Sequence, residues 1–278
     1  MKFSVLISLY IKAKTEEVSV ALRSIYEDQT LKPDEIVIVK DGPLNSSLDQ
    51  FLAEQARKLP LSFVILEKAQ GLGEALSQGV LACRNEIIAR MDGDDISVPN
   101  RFAIQIDYME KHPEIAILGG EIAEFECDPQ QIHDYRVVPC DMKEITSFMR
   151  FRNPFNHMTV CFRKSIIIKN GNYKTLQGYE DYWLWARCLS NGARGANLPD
   201  VLVKARTNGM ISRRKGLKVL KADYKLSREL YKLKIISFPR MIQNILLRVI
   251  ILSVPAALLG VFYQCFLRKK YNQSLVMD

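Results

Sequence analysis

The chain has 278 residues, of which 48% are hydrophobic and 25% charged, as expected for one large folded domain or a domain with an appendage. Residues 203–278 carry 16 Lys and Arg against 3 Asp and Glu, whereas residues 1–202 have a net charge of −5. The six cysteines form no C-x-x-C pair, which argues against a zinc site and fits reduced thiols in a cytoplasm. The first apolar run is too short for a signal peptide, so we expect the body of the protein to stay where it is made.

Strand-like and helix-like segments alternate over the first hundred residues. Short β-branched or apolar runs predict strands, and the amphipathic segments between them predict helices. The predicted strands are 3–9, 35–39, 61–66 and 86–91, and the predicted helices are 16–28, 46–58 and 72–83. This alternation predicts an α/β fold with a Rossmann-like, mostly parallel central sheet and helices on both faces.

Polar or glycine-rich residues stand at the carboxyl end of each predicted strand. They are Ser8 to Tyr10, Asp41 with Gly42, Gly71 to Gly73, and Asp92 to Asp95. In open α/β sheets, ligands bind beyond the carboxyl ends of the strands. The sequence therefore predicts one binding site at this edge, to which Ser8, Tyr10, Asp41 and Gly71 contribute.

The aspartate cluster Asp92-Gly93-Asp94-Asp95 follows a predicted buried strand. Crowded carboxylates repel one another and resist desolvation, so a cation set against them is one explanation, and a solvated acidic turn that caps the next helix is the other. Oxygen ligands of this kind suit Mg²⁺ or Mn²⁺, which commonly accompany a phosphate-bearing substrate. If the strand geometry persists, Asp92 and Asp94 point to the same side and share one ion. Asp95 is then a third ligand, a partner for a ribose hydroxyl, or a helix cap.

Two neighbouring features could contact a phosphate. Arg101, in the first turn of a helix that opens at Pro99, is either a phosphate ligand or a surface arginine. Gly71 starts a helix like a phosphate-cradling turn, although tight packing of that helix start against the sheet is the favoured interpretation.

The second half has mixed patterns, with strands predicted at 115–118 and 158–162 and a helix at 182–189. Glu180 and Asp181 enter the first turn of this helix, where they either complement the helix dipole or supply a general base for an acceptor hydroxyl. Its aromatic residues would then form a platform for sugar faces. These predicted acceptor-binding residues are Tyr182, Trp183 and Trp185.

The carboxyl-terminal segment combines positive charge with apolar sequence. A predicted helix at 216–234 carries a basic stripe, Pro239 breaks it, and residues 249–267 have no charge. A membrane-seated hairpin broken near Pro255 is favoured over a true span or a pair of core helices. We therefore expect anionic membrane lipid as a partner, at the cytoplasmic face of the plasma membrane. Nucleic acid is not expected, because the charge is coupled to an apolar run rather than spread over a groove.

Taken together, these motifs resemble family 2 glycosyltransferases with the GT-A nucleotide-sugar fold, over residues 3–214. The resemblance rests on the first strand, the Asp41-Gly42 turn, the aspartate cluster with Pro99 and Arg101, and Glu180-Asp181-Tyr182. The runs 40–44 and 153–159 are similar to the subgroup that builds bacterial capsule, exopolysaccharide and O-antigen repeat units. His157 lies in the second run, as an acceptor-binding or, by preference, a structural histidine.

The resemblance implies roles for individual residues. Asp92 and Asp94 match the D-x-D that binds the metal and the donor diphosphate, and Asp181 matches the catalytic base. Tyr10 and Asp41 match positions near the nucleotide base and ribose. The implied reaction is inverting transfer from a nucleotide-sugar donor, a UDP-sugar by preference, to a polyprenyl-diphosphate-linked saccharide. The chain departs from the family at Lys40, where paired acids are common, and at Ala75-Leu76-Ser77.

The expected organisation is a glycosyltransferase domain at 1–214 and a helical tail at 215–278. Residues 1–98 would form the nucleotide-sugar half and residues 99–214 the acceptor half. Two other functions stay open. A sugar-phosphate nucleotidylyltransferase should have a glycine-rich, arginine-bearing first loop, which residues 8–12 do not provide. A non-catalytic scaffold that only holds nucleotide sugar would give Glu180 and Asp181 no catalytic role.

Overall fold

The computed structural model describes residues 1–207 and 217–253, and within them one sheet with helices packed on both of its faces. The strands are β1 (Phe3–Tyr10), β2 (Glu35–Asp41), β3 (Leu61–Leu66), β4 (Ile87–Met91), β5 (Ile96–Ser97), β6 (Ile115–Phe125), β7 (Asp134–Arg136), β8 (Cys161–Arg163) and β9 (Arg194–Arg206). The helices are α1 (Thr15–Ile25), α2 (Ser46–Gln55), α3 (Leu72–Ala82), α4 (Arg101–Lys111), α5 (Met142–Phe148), α6 (Lys164–Lys169), α7 (Glu180–Ser190), α8 (Leu217–Lys232) and α9 (Phe238–Ser253).

The sheet has the order β3-β2-β1-β4-β8-β6-β9-β5, with β7 paired to β6. Strands β3, β2, β1 and β4 are parallel, but β8 runs antiparallel to both β4 and β6. The α/β fold with flanking helices is confirmed. The expectation of a mostly parallel sheet is also confirmed. Strands β6 and β9 are parallel to each other and, across the antiparallel β8, run in the same direction as the first four strands. Among the described strands, β5, β7 and β8 run the other way.

Alternating residues of the central strands build a core on each face of the sheet. On β1, Phe3, Val5, Ile7 and Leu9 pack in the cluster that includes helices α1, α2 and α4. Leu6 faces the other way and joins the cluster built from α3, α7 and α8. Both faces of the strands are therefore buried, which explains their nearly continuous apolar sequence.

Two strand predictions in the second half differ from the structure. Strand β6 continues well past residue 118 to Phe125. The segment predicted as a strand at 158–162 begins as a short 3-10 turn, His157–Thr159, and becomes extended only at β8. The Thr159 hydroxyl donates to the Asn156 carbonyl at 2.7 Å, and such a local side-chain bond competes with a strand ladder.

The two tail helices pack on the domain through their apolar sides. Leu226, Leu230, Ile236 and Met241 are buried in the same cluster as Trp185 of α7. Across residues 1–207 and 217–253, no helix is long and apolar enough to cross a bilayer. The predicted break near Pro255 lies outside the described residues.

Candidate active site

The carboxyl ends of the four parallel strands meet at one edge of the sheet. Tyr10 of β1 is in register with Asp41 of β2, and Asp41 is in register with Leu66 of β3. Met91, the last residue of β4, pairs with Ile7 of β1. The predicted convergence of strand-end residues is therefore correct, with Ser8 and Tyr10 inside β1 rather than after it.

Asp41 organises the loop that follows β3. Its carboxylate accepts hydrogen bonds from the backbone N–H groups of Gln70 and Gly71, at 2.6 and 3.0 Å. Gly42 has φ +79°, and a Cβ there would lie 2.7 Å from the backbone nitrogen of Ala69, so glycine is required on both grounds. Asp41 and Gly71 are thus fixed next to each other, and the exposed side chain of Tyr10 lies on the neighbouring strand.

The aspartate cluster forms a turn rather than an extension of β4. The strand ends at Met91 and residues 93–94 turn, so the predicted strand geometry for Asp92 and Asp94 is wrong. Both side chains nevertheless reach solvent. Reduced hydration, and to a smaller extent the negative charge of Asp92, raises the pKa of Asp94 to about 6.

Asp95 differs from its two neighbours because it is buried. Its Oδ1 accepts from the backbone N–H of Arg206 at 2.8 Å, which ties the turn to the end of β9. Its Oδ2 is buried without a hydrogen-bond partner in the described part of the chain. Burial, followed by the charges of Asp92 and Asp94, raises the pKa of Asp95 well above its usual range.

The cluster fits a divalent cation in its chemistry, although it is not a closed protein cage. No three Asp, Glu, His or Cys side chains within residues 1–207 and 217–253 converge as a complete ligand set. Mg²⁺ typically takes one or two carboxylates and fills its other positions with water and substrate phosphate. Two solvent-facing carboxylates that repel each other, Asp92 and Asp94, match that pattern, whereas Asp95 is engaged with the backbone.

Arg101 does not reach a phosphate site in this structure. It is fully buried, its Nη2 donates to the Arg90 carbonyl at 2.8 Å, and its Nε donates to Gln105 at 3.0 Å. Arg101 therefore braces the end of β4 against α4, and its predicted role in donor binding is wrong for this conformation. Its position two residues after Pro99 did not indicate which way the side chain faces.

Arg90 is a site residue that the sequence reasoning missed. This buried arginine on β4 forms an ion pair with Asp92. Its Nε and Nη1 have no hydrogen-bond partner in the described residues. A buried charge needs compensation. The sequence signal for it was an arginine within an apolar strand, two residues before the first aspartate of the cluster.

Asp181 is half-buried in the first turn of α7. Its Oδ2 accepts a hydrogen bond from Asn153 Nδ2 at 2.5 Å. Burial raises the pKa of Asp181, while the hydrogen bond from Asn153 and the charge of Arg90 oppose that rise. Glu180 is more deeply buried, and burial also raises its pKa. One buried guanidinium, that of Arg90, therefore acts on both Asp92 and Asp181.

The predicted aromatic platform is largely part of the core. Trp185 is fully buried, and the buried Tyr182 donates its hydroxyl to the Met149 carbonyl at 2.5 Å. These two residues are therefore unavailable to an acceptor, which corrects their predicted role. Trp183 is partly buried, with the Arg187 guanidinium 5.0 Å from its ring centroid.

His157 is partly buried and packs against aromatic residues of the core. Its Nε2 lies 3.0 Å from the Tyr173 hydroxyl, and its ring centroid is 6.3 Å from that of Trp185. Burial lowers the pKa of His157 well below its usual value, so the imidazole is neutral. These contacts support the structural role that the sequence favoured.

Comparison with known proteins identifies the family. The sequence model described as "Glycosyl transferase family 2" matches residues 4–176. The chain belongs to glycosyl transferase family 2. It is therefore a glycosyltransferase, and the resemblance inferred from its motifs is confirmed.

Two relatives of this family 2 glycosyltransferase match nearly the full chain. The amylovoran biosynthesis glycosyltransferase AmsE of Erwinia amylovora is 42% identical over 263 residues, which cover 94% of this chain and 98% of the relative. The UDP-Gal:α-D-GlcNAc-diphosphoundecaprenol β-1,3-galactosyltransferase of Escherichia coli is 36% identical over 269 residues, with coverage of 96% and 97%.

Solved structures share the fold of this family 2 glycosyltransferase. Staphylococcus aureus TarS 1–349 in complex with UDP-GlcNAc has a TM-score of 0.62 at 19% identity, covering 83% of this chain and 66% of that one. The mannosyltransferase PcManGT of Pyrobaculum calidifontis, in complex with GDP-Man and Mn²⁺, has a TM-score of 0.62 at 16% identity, with coverage of 96% and 81%.

Proposed function

We propose that this enzyme transfers a sugar, with inversion, from a UDP-sugar to a polyprenyl-diphosphate-linked saccharide during the synthesis of a bacterial surface polysaccharide. The observation that carries the proposal is the Asp181 carboxylate at the start of α7, half-buried and held by Asn153 Nδ2 at 2.5 Å, in a chain whose Asp92 and Asp94 reach solvent directly after β4. The Escherichia coli relative, which takes UDP-Gal and a GlcNAc-diphosphoundecaprenol by its name, supports the choice of donor and acceptor class.

In the proposed reaction Asp181 takes the proton of the acceptor hydroxyl. The acceptor oxygen forms a bond to the anomeric carbon while the bond from that carbon to the donor diphosphate breaks, so the nucleoside diphosphate leaves from the opposite face. Asn153 holds the carboxylate of Asp181 in place through its 2.5 Å hydrogen bond. Asp92 and Asp94 would hold Mg²⁺ or Mn²⁺, whose charge stabilises the departing diphosphate when it is bound.

The donor and acceptor halves follow from these positions. We assign residues 1–98 to the donor half, because Asp41, Gly71 and the aspartate cluster lie there. Residues 99–214 supply Asn153 and Asp181 and form the acceptor half. Arg90 and β8, which joins β4 to β6, connect the two halves.

A product assay tests this function against its alternatives. We expect a panel of nucleotide sugars, offered with a polyprenyl-diphosphate-linked GlcNAc and Mg²⁺ or Mn²⁺, to give one lipid-linked disaccharide, identified by product mass. Pyrophosphate formed from a nucleoside triphosphate and a sugar phosphate would instead indicate a nucleotidylyltransferase. Donor binding without product from any acceptor would indicate a scaffold.

We also assign the outer surface of the tail helices to an anionic membrane surface. On α8, exposed basic residues form a stripe that consists of Lys218, Lys221, Lys225, Arg228 and Lys232. On α9, Leu246 and Ile250 are 58% and 60% exposed and lie one helical turn apart. Apolar side chains beside positive charge are the pattern of a helix that lies in a bilayer interface.

Vesicle binding tests the membrane assignment. The double variant Leu246→Glu/Ile250→Glu should lose about tenfold or more in affinity for phosphatidylglycerol vesicles, since burying one such side chain contributes about 1.5–3 kcal/mol. Ile65→Glu is the matched control, because Ile65 is 69% exposed on the edge strand β3, away from the tail. Sedimentation with vesicles of neutral and anionic lipid provides the measurement. Equal losses in the two variants would contradict the assignment.

A further inference from the structure

The start of the catalytic helix α7 is joined to both tail helices through one carboxylate. Tyr179, the residue before Glu180, donates its hydroxyl to Oδ1 of Asp223 on α8. The Arg248 Nε on α9 donates to Asp223 Oδ2 at 2.5 Å. We propose that Tyr179, Asp223 and Arg248 form a positioning network that holds Asp181 in its catalytic geometry, an inference that rests on the proposed function of Asp181.

The network is shielded from solvent, unlike the other ion pairs of α8. The side chains of Asp223 and Arg248 are 15% and 16% exposed, whereas Lys232, which pairs with Glu229 on the same helix, is 57% exposed. Shielded pairs are screened less by salt and hold a defined geometry better than exposed pairs, which contribute little. The hydrogen bonds of Asp223 can therefore hold the start of α7 in a fixed position relative to the tail helices.

A second set of contacts joins α9 to the chain segment that leads to Asn153. The Arg240 guanidinium of α9 stacks 3.8 Å from the ring centroid of Phe151, and Asn244 Nδ2 donates to the Arg150 carbonyl at 3.4 Å. The segment that contains these residues continues directly to Asn153, which holds Asp181. The tail helices thus contact both chain segments that determine where the Asp181 carboxylate lies.

The network acts on the position of Asp181 rather than on the overall stability of the protein. Tyr179 precedes Asp181 by only two residues, so a shift of the Tyr179 backbone carries over to the base. A misplacement of about 1 Å at a reacting group can cost about 10²-fold in rate. Loss of the network should therefore lower turnover without weakening the proposed donor site, whose residues Tyr10, Asp41 and Asp92 lie at or directly after the ends of β1, β2 and β4.

Single and double variants test the network. We expect Tyr179→Phe and Asp223→Asn each to lower kcat about 10- to 100-fold, with KM for the nucleotide sugar within about twofold of wild type. The double variant should be no slower than the slower single variant, because coupled residues are not additive. Arg248→Lys should retain more activity than Arg248→Met, since it keeps the charge. Glu229→Gln, which breaks only exposed pairs on α8, is the matched control and should turn over like wild type.

Hydrogen exchange gives a readout that does not depend on turnover. The Trp183 amide donates to the Tyr179 carbonyl at 2.9 Å, so its exchange should become at least about tenfold faster in Tyr179→Phe and Asp223→Asn and stay unchanged in Glu229→Gln. Unchanged kcat and unchanged exchange would overturn the network, as would a fall in kcat matched by loss of donor binding. Absence of sugar transfer by the wild-type enzyme would instead refute the proposed function. The exchange result would still show whether Tyr179 and Asp223 hold the start of α7 in place.

Discussion

Replacing Asp181 by Asn is expected to lower kcat about 10²- to 10⁴-fold, the usual contribution of a general base, while the nucleotide sugar still binds. Asparagine keeps the size of the side chain and a hydrogen-bonding oxygen for Asn153, but it cannot take the proton of the acceptor hydroxyl. Steady-state rates with the lipid-linked acceptor, together with donor affinity by calorimetry, provide the measurement.

The neighbouring acid supplies the control for this substitution. Glu180→Gln should lose far less activity, because Glu180 is buried against the start of α3, where its Cγ lies 3.1 Å from the position of a Cβ on Gly73. If Asp181→Asn retained near-normal rates while Glu180→Gln did not, the base would have to be reassigned to Glu180.

The pH profile gives an independent check on Asp181. Burial raises the pKa of this carboxyl, and the base works only when it is ionised. The kcat/KM value should therefore fall as the pH is lowered through a pKa above the ordinary aspartate range. At saturating Mn²⁺, which would keep Asp94 ionised, this acid limb should be absent from the residual activity of Asp181→Asn.

Asp92→Asn and Asp94→Asn are expected to reduce metal-dependent turnover about 10²- to 10³-fold, as observed when one preorganised electrostatic group is removed. Each substitution removes one of the two negative charges that face solvent beside the proposed donor site. Titration of Mn²⁺ in the presence of donor should show weaker metal binding in both variants. Chelation by EDTA should abolish wild-type turnover, and added Mg²⁺ or Mn²⁺ should restore it.

Asp95→Ala separates the proposed metal site from its surroundings. Because Asp95 Oδ1 accepts from the Arg206 backbone N–H at 2.8 Å and alanine offers no acceptor in its place, the variant should lower the thermal stability while changing the Mn²⁺ affinity little. A loss of metal affinity equal to that of Asp92→Asn would make Asp95 a ligand and contradict the division made here.

Much of the fold follows from local sequence. The alternation of apolar and polar residues predicted the first four strands and the three helices between them to within a few residues of α1, α2 and α3. Parallel strands must then present their carboxyl ends at one edge, so the meeting of Asp41, Gly71 and the aspartate cluster followed without any knowledge of contacts. The basic stripe of α8 is also exposed as its period predicted.

Side-chain direction within the site did not follow from sequence. Periodicity shows which residues share one face of a helix but not what packs against the other faces. Helix α7 is buried on several sides because it lies between the sheet and α8, so Tyr182 and Trp185 are core residues rather than an open platform. Arg90 and Arg101 are both buried cations, and their sequence neighbours do not distinguish an inward arginine from a surface one.

The sequence by itself determined the first four strands, the edge at which their polar and acidic end residues gather, and the membership of the family, because these depend on short-range pattern and on motif spacing. Only the tertiary structure decided the antiparallel direction of β8, the inward position of Arg90 and the connection of Tyr179 to Asp223. That last pair is separated by 44 residues, and Asp95 meets Arg206 across 111. Contacts between residues so far apart in sequence form only when the chain has packed, so the local sequence pattern does not predict them.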